Sequence, residues 1–275
     1  MIQPLRDVAY SSQSQRQKLD LYLPENDSYL HPVVLWLHPG GFAHGSKETM
    51  IDVLVPQLIR RGYVVVAANY RLTDEAVFPA QIFDAKAAVR WIRANASKYQ
   101  LNPETIAAWG CSAGATLAVL LGTSSNAPEL EDLSMGNPAE SSAVSAVVDW
   151  YGPIDLLNID AQLVELGYPA LHDIGKTGLF DVVGGPGPDL SLKCNKLNPV
   201  CYLTAGAPPV YIQHGNKDDT VPMTQSLELA ESLRAVLGNE KVALNIVENA
   251  DHFSDKHQSR ENITKVIDFL DKCLR

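Results

Sequence analysis

The chain lacks a long apolar segment. Its apolar runs stop well short of the roughly 18 residues that a membrane-spanning helix needs. The first residues also lack the basic stretch followed by an apolar stretch that marks a signal peptide. The sequence therefore predicts a soluble, cytoplasmic protein with no membrane partner. A signal peptide that had already been removed would leave no trace, so export of a longer precursor stays open.

Positive charge is also scarce. The 275 residues include 22 Lys and Arg against 32 Asp and Glu, which gives a formal net charge of −10. A protein that binds a phosphate backbone needs a clustered basic surface, and the sequence contains no such cluster. The composition thus argues against nucleic acid as a partner and, by the same electrostatics, against anionic membranes.

The four cysteines are too few for a disulfide scaffold. A chain of this length can be stabilised by its hydrophobic core without disulfides. Cys194 and Cys201 could pair across a loop, although reduced thiols are the favoured interpretation. No cysteine pair has zinc-site spacing, and His252 and His257 do not have the i, i+4 spacing that places two ligands on one helical face. Phosphate-binding and dinucleotide-binding glycine fingerprints are missing too, so we expect neither a metal nor a cofactor.

What the sequence does contain is a regular alternation of strands and helices. Apolar runs predict strands at 18–23, 33–37, 63–68, 105–108, 143–151, 210–212 and 241–247. Apolar residues at helical spacing predict helices at 51–59, 79–99, 113–121, 229–237 and 263–274. This order predicts a single α/β domain over residues 1–275, with a mostly parallel central sheet flanked by helices.

The regular pattern fails over residues 153–208, which are rich in glycine and proline. We expect mostly loops and short helices in this range. A long irregular insert in a compact domain is more often a lid or a binding wall than a structural necessity. The sequence therefore predicts a lid-like insert before the strand that precedes Asp218.

Residues 109–114, Trp-Gly-Cys-Ser-Ala-Gly, lie where a predicted strand becomes a predicted helix. Small residues two positions before and after Ser112 would let the backbone turn sharply and raise the serine hydroxyl above the sheet edge, as in a nucleophile elbow. The motif alone also occurs in ordinary turns of small residues. Its interpretation depends on the other residues that could act with Ser112.

A serine hydroxyl needs an imidazole to accept its proton and a carboxylate to orient that imidazole. Ser112, Asp218 and His252 occur in the order Ser, Asp, His, and each follows a predicted strand. The neighbouring Asp219 is the alternative acid, but we favour Asp218 and expect Asp219 to be a turn or helix-capping residue.

Acyl transfer also needs backbone amides that stabilise an oxyanion. The amide of Ala113 directly follows Ser112, and the loop after the 33–37 strand should supply the second donor. Pro39 has no N–H, which leaves Gly40, Gly41 or, less favoured, Phe42.

The combined motifs resemble the esterase and lipase branch of the α/β-hydrolase superfamily, and most closely carboxylesterases related to bacterial feruloyl and acetyl-xylan esterases. The resemblance extends from about Leu19 to the end of the chain and rests on several motifs: His38-Pro39-Gly40-Gly41-Phe42, Tyr70-Arg71-Leu72, Phe78-Pro79-Ala80, Gly110 to Gly114, His214 to Pro222, and His252. It implies that Ser112 is the nucleophile, His252 the general base and Asp218 its orienting acid. It also implies an oxyanion hole formed by Gly40, Gly41 and Ala113.

The expected activity is cofactor-independent hydrolysis of small acyl or aryl esters through an acyl-enzyme on Ser112. An amidase or peptidase with the same residues, or a ligand-binding homologue without catalysis, are the alternatives. The sequence departs from the family at Pro39, where glycine is usual, and at Cys111 and Ala115, where an acidic residue and glycine are common. These departures bear on the shape of the pocket and on the ester that fits it.

Overall fold

The structure is a computed structural model that describes residues 4–25, 29–171, 178 and 180–275. Within these residues, eight strands form one sheet in the order β1-β2-β4-β3-β5-β6-β7-β8. The strands are β1 Leu5–Ala9, β2 Lys18–Tyr22, β3 His31–Leu37, β4 Val64–Ala68, β5 Leu101–Cys111, β6 Ala146–Trp150, β7 Val210–Gly215 and β8 Val242–Val247. All neighbouring strands from β4 through β8 pair in parallel, whereas β2 pairs antiparallel with both β1 and β4.

Helices cover both faces of this sheet. They are α1 Ile51–Arg60, α2 Ala80–Ala94, α3 Ala96–Tyr99, α4 Ala113–Thr123, α5 Ile159–Glu165, α6 Leu190–Leu197, α7 Thr224–Leu237 and α8 Arg260–Leu274. Apolar residues of α1 and α8 pack in one core cluster, and those of α2, α4 and α7 pack in the other. The predicted α/β architecture, with a mostly parallel sheet between two helical layers, is confirmed.

The composition of the central strands explains their burial. In β3, Val33 and Leu35 face one core while Val34 and Trp36 face the other, because successive side chains of a strand point to opposite faces. A strand covered on both faces reads as a continuous apolar run rather than an alternating one. The all-buried β4 (VVVAA) follows the same rule.

The structure differs from the predicted elements in two places. The single helix expected at 79–99 is interrupted at Asn95, which separates α2 from α3. Strand β1 was not predicted, because four of its five side chains are exposed and its sequence carries no apolar pattern.

Residues 153–208 contain the short helices α5 and α6 and two 3-10 turns, at Asp181–Val183 and Pro199–Tyr202. The prediction of loops and short helices is therefore confirmed for the described residues of this range, while 172–177 and 179 lie outside them. Within the described chain, none of the helices has both the length and the apolar character needed to cross a membrane. Cys194 and Cys201 are both free thiols.

Candidate active site

The elbow that carries Ser112 connects the end of β5 to the start of α4. Ser112 has φ 52° and ψ −124°, a conformation that side-chain-bearing residues rarely adopt. A Cβ atom on Gly110 would lie 2.0 Å from the carbonyl oxygen of Gly114, and a Cβ on Gly114 would lie 2.1 Å from the carbonyl oxygen of Leu37. Both positions therefore require glycine, since only a residue without a side chain permits this close approach.

Contacts with the end of β6 hold the elbow in this strained conformation. The Ser112 amide donates to the carbonyl oxygen of Trp150 at 2.8 Å. One turn into α4, the Thr116 hydroxyl donates to the carbonyl oxygen of Pro153 at 2.6 Å. A strained backbone persists only when its surroundings fix it. These two hydrogen bonds fix it from the end of β6 and from the segment that follows.

The structure brings Ser112, His252 and Asp218 into one hydrogen-bonded row. His252 Nε2 lies 3.0 Å from Ser112 Oγ, and His252 Nδ1 lies 2.7 Å from Asp218 Oδ2. A carboxylate can only accept, so Nδ1 carries the proton and Nε2 is free to accept one from the serine. Asp219, the alternative acid, is exposed, and the Thr220 hydroxyl lies 3.4 Å from its carboxylate.

Asp218 is buried and yet surrounded by hydrogen-bond donors. Its Oδ1 accepts from the amides of Thr220 at 2.9 Å and Val221 at 2.8 Å. Burial alone would raise the pKa of Asp218, but the hydrogen bonds from His214 and His252 outweigh it and hold the pKa well below its usual range. Asp218 is therefore an anion at neutral pH, which is the state needed to stabilise a positively charged imidazole.

His214 is a contact of Asp218 to which the sequence analysis assigned no role. The imidazole is fully buried, with Nε2 2.8 Å from the Val221 carbonyl oxygen and 3.3 Å from Asp218 Oδ2. Because a carbonyl only accepts, Nε2 carries the proton, and Nδ1 accepts from the Ser226 hydroxyl at 2.7 Å. In the sequence, the only signal for His214 is its place in the motif His214 to Pro222. Its contact with Asp218 depends on how the backbone turns after β7.

Aromatic packing surrounds the imidazole of His252. Tyr151, at the end of β6, places its ring centroid 4.9 Å from that of His252 and 4.4 Å from that of His257. The Tyr151 hydroxyl accepts from the Cys111 thiol at 2.8 Å. Burial raises the pKa of Cys111, so the group beside Ser112 is a protonated thiol and not a thiolate.

The loop after β3 carries the remaining predicted site residues. Gly40 has φ 133° and Gly41 has φ 59°, and a Cβ on Gly40 would lie 2.1 Å from the carbonyl oxygen of His44. Within the described residues, the amides of Gly40, Gly41 and Ala113 donate to no other group of the protein. Ala113 is the first residue of α4, where an amide has no partner in its own helix. Three amides are thus available near Ser112 for a ligand oxygen.

The buried side chains of His38 and Tyr70 pack together beside this loop. Their rings stack with centroids 4.3 Å apart, and the Tyr70 hydroxyl donates to the His38 carbonyl oxygen at 2.8 Å. The imidazole Nδ1 donates to the carbonyl oxygen of Pro39 at 2.8 Å. Burial lowers the pKa of His38 to about 4, so its ring is neutral and adds no charge beside the amides.

Ser112 and His252 open into a cavity of about 500 Å³. The cavity is formed by the segments that follow β3, β5, β6, β7 and β8. Its lining residues are Pro39, Gly40, Gly41, Gly45, Thr49, Met50, Cys111, Ser112, Tyr151, Thr220, His252, Phe253, Ser254 and Gln258. None of the described residues of 153–208 lines it, so the lid role of that range stays a prediction. The described residues also contain no group of three or more His, Cys, Asp or Glu arranged to hold a metal ion.

Comparison with known proteins gives a family match and several relatives. The model of the BD-FAE family matches residues 19–233. Esterase LipQ of Mycobacterium tuberculosis is 31% identical over 87% of this chain and 55% of its own length. Esterase LipC of the same organism is 30% identical over 74% of this chain and 49% of its own length. The chain thus spans about half the length of these relatives.

Solved structures with the same fold include two carbohydrate-related proteins. The bifunctional GH43-CE protein of Bacteroides eggerthii is 31% identical with a TM-score of 0.87, over 98% of this chain and 38% of that one. A truncated carbohydrate esterase from gut microbiota is 25% identical with a TM-score of 0.85, over 98% of this chain and 95% of that one. The butyrate-bound esterase Est2 of Thermogutta terrifontis, at 22% identity and a TM-score of 0.76 over 98% of this chain and 94% of its own, shares the fold.

Proposed function

Since the chain belongs to the BD-FAE family of α/β-hydrolases, we propose that it is a carboxylic ester hydrolase that forms an acyl-enzyme on Ser112. The observation that carries this proposal is the row Ser112, His252 and Asp218, which opens into the cavity beside unpaired amides. The relatives named as esterases support the same chemistry.

In the proposed mechanism, Ser112 Oγ attacks the ester carbonyl carbon while His252 Nε2 accepts the hydroxyl proton. Asp218 accepts the Nδ1 hydrogen bond of His252 and stabilises the positive charge that develops on the ring. The amides of Gly40, Gly41 and Ala113 stabilise the tetrahedral oxyanion, an effect of about 3 kcal/mol for a single donor.

Collapse of the tetrahedral intermediate breaks the bond to the alcohol, which leaves with the proton that His252 returns to it. Water then enters, loses its proton to His252 Nε2 and attacks the acyl-enzyme, after which the carboxylic acid leaves and Ser112 regains its proton. The chain's own residues supply every proton transfer, and the proposal therefore includes no cofactor.

The cavity favours small acyl or aryl esters as substrates. Its volume of about 500 Å³ falls within the range of small-molecule sites, and its lining includes Met50, Cys111 and Tyr151. Aryl and short acyl groups can pack against these side chains, because the transfer of apolar surface out of water is favourable.

The test uses p-nitrophenyl acetate with the wild-type chain and Ser112→Ala. We expect a burst of nitrophenol in the wild type and a loss of kcat on the order of 10⁶-fold in the variant, because the nucleophile of a triad is removed. Equal rates for both proteins would contradict the assignment of Ser112 and would favour a ligand-binding homologue.

A second comparison separates an esterase from an amidase. An ester and an amide with the same acetyl group and closely matched leaving groups are supplied to the wild-type chain. We expect ester turnover to be far faster, whereas amide turnover that matches it would overturn the assignment to ester hydrolysis.

A further inference from the structure

Phe253 lies at the rim of the cavity and is almost wholly in water. The residue directly follows His252, lines the cavity, and is 83% exposed. Its ring centroid lies 5.2 Å from that of His252, edge to face at 84°. An aromatic ring held in water beside a cavity offers a large apolar surface to whatever molecule enters.

Several hydrogen bonds hold the backbone around Phe253. The Phe253 amide donates to Asp251 Oδ1 at 3.1 Å, and His257 Nε2 lies 2.9 Å from the carbonyl oxygen of Asp251. Lys256 Nζ donates to the carbonyl oxygen of Asn249 at 2.9 Å. The backbone on both sides of the ring is thus tied down, which lowers the entropy lost when a ligand packs against it.

The chemistry of the site determines which part of an ester meets this ring. His252 Nε2 must return its proton to the oxygen of the leaving alcohol, so the alcohol lies on the side of His252. The carbonyl oxygen lies instead beside the amides of Gly40, Gly41 and Ala113. Phe253, which directly follows His252 at the rim, therefore flanks the alcohol and not the oxyanion.

We propose that Phe253 determines specificity for the alcohol part of the ester, by stacking on alcohols that have a flat apolar face. An aromatic alcohol and a pyranose sugar both present such a face, whereas a linear alkyl alcohol does not. The proposal rests on ester hydrolysis at Ser112. It assigns to Phe253 a contact with substrate and no part in proton transfer.

The experiment compares benzyl acetate, n-butyl acetate and a methyl pyranoside monoacetate with the variants Phe253→Ala, Phe253→Leu and Phe253→Trp. All three esters form the same acetyl-enzyme, so the ratio of their kcat/KM values reports only on acylation. We expect Phe253→Ala and Phe253→Leu to lower the ratio of kcat/KM for benzyl acetate to kcat/KM for n-butyl acetate about fivefold, because a pair of aromatic rings contributes binding energy beyond its buried area. Phe253→Trp should retain the ratio.

The control is Val236→Ala, which removes an exposed apolar side chain from α7, outside the cavity lining. We expect this variant to leave the ratio unchanged. A pyranoside ester that loses rate together with benzyl acetate identifies the sugar face as a ligand, and one that keeps its rate restricts the stacking to aromatic alcohols.

The proposed role of Phe253 would be overturned if Phe253→Leu kept the wild-type ratio of kcat/KM values. It would also be overturned if kcat/KM fell equally for benzyl acetate and n-butyl acetate. Failure of ester hydrolysis itself has a different signature. In that case the wild-type chain would hydrolyse none of the three acetates, or Ser112→Ala would hydrolyse them as fast.

Discussion

Two buried carboxylates on neighbouring strands have opposite environments. Asp218, just after β7, accepts two backbone amides and two imidazole contacts, and its pKa is held well below the usual range. Among the residues that the structure describes, Asp149, on β6, accepts a hydrogen bond only from the Gly152 amide, at 2.8 Å, and its buried Oδ2 has no hydrogen-bond partner. Burial raises the pKa of Asp149 to about 6.

Both carboxylates are buried, so the difference between these two pKa values comes from the groups that donate to them. Burial disfavours the anion at both positions, and only at Asp218 do the donors outweigh that cost. Asp218 can therefore act as a permanent anion beside His252. Asp149 instead changes charge near pH 6, and the hydrogen bond that it accepts from Gly152 anchors the turn that follows Trp150.

Among the substitutions that test the comparison of Asp218 with Asp149, Asp218→Asn has the largest expected effect on activity. The amide keeps the shape of the side chain but cannot stabilise a charged imidazole, so we expect kcat to fall by about 10⁴-fold. Steady-state kinetics with p-nitrophenyl acetate provides the measurement. Asp219→Asn is the matched control and should stay within about twofold of the wild type; a comparable loss in this variant would make Asp219 the acid.

Asp149→Asn should change the pH dependence of stability. A pKa raised from 3.8 to about 6 in the folded state means a contribution that is fully present below pH 4 and is lost as the pH rises toward 6. The full change corresponds to about 3 kcal/mol. We therefore expect the free energy of unfolding of the wild type to fall between pH 4 and pH 6.5 by more than that of the variant.

Chemical denaturation at several pH values measures this difference, and Asp218→Asn serves as the comparison of opposite sign. The lowered pKa of Asp218 gives a contribution that is present above pH 4 and is lost as the pH falls. Parallel pH profiles for wild type and Asp149→Asn would show that Asp149 is ionised in the folded protein.

The smallest expected effect comes from the second imidazole on Asp218. His214→Leu removes one donor while the Thr220 and Val221 amides remain, so we expect kcat to fall about tenfold with KM unchanged. His214→Gln keeps an N–H near the position of Nε2 and should recover most of the loss. A uniform loss of folded protein in both variants, with kcat per folded molecule unchanged, would leave His214 a packing residue only.

Much of the fold could be predicted because its central strands are buried on both faces. The continuous apolar runs of β3 and β4 identify such strands directly, and the glycines around Ser112 indicate a turn that no other residue permits. The exposed edge strand β1 was missed because its pairing with β2 leaves no periodic pattern in its own sequence.

The predicted site residues are close in space, but the sequence could not reveal what surrounds them. One example is the contact of His214 with Asp218, and another is the buried, unpaired Oδ2 of Asp149. Both depend on the directions of side chains, which the periodicity of the sequence does not encode. Phe253 was similarly just a neighbour of His252 in the sequence. Its exposure depends on the loop between β8 and α8, which hydrogen bonds of Asp251 and Lys256 hold in place.

The strained elbow at Ser112 also links activity to the order in which the chain folds. Its amide is held by Trp150, and its hydroxyl meets an imidazole that is 140 residues away in the sequence. Contacts between distant parts of a chain are slow to form, because loop closure must precede them. The recovery of ester hydrolysis during refolding would therefore follow the formation of long-range contacts such as that of Ser112 with His252. It would not follow the appearance of helices.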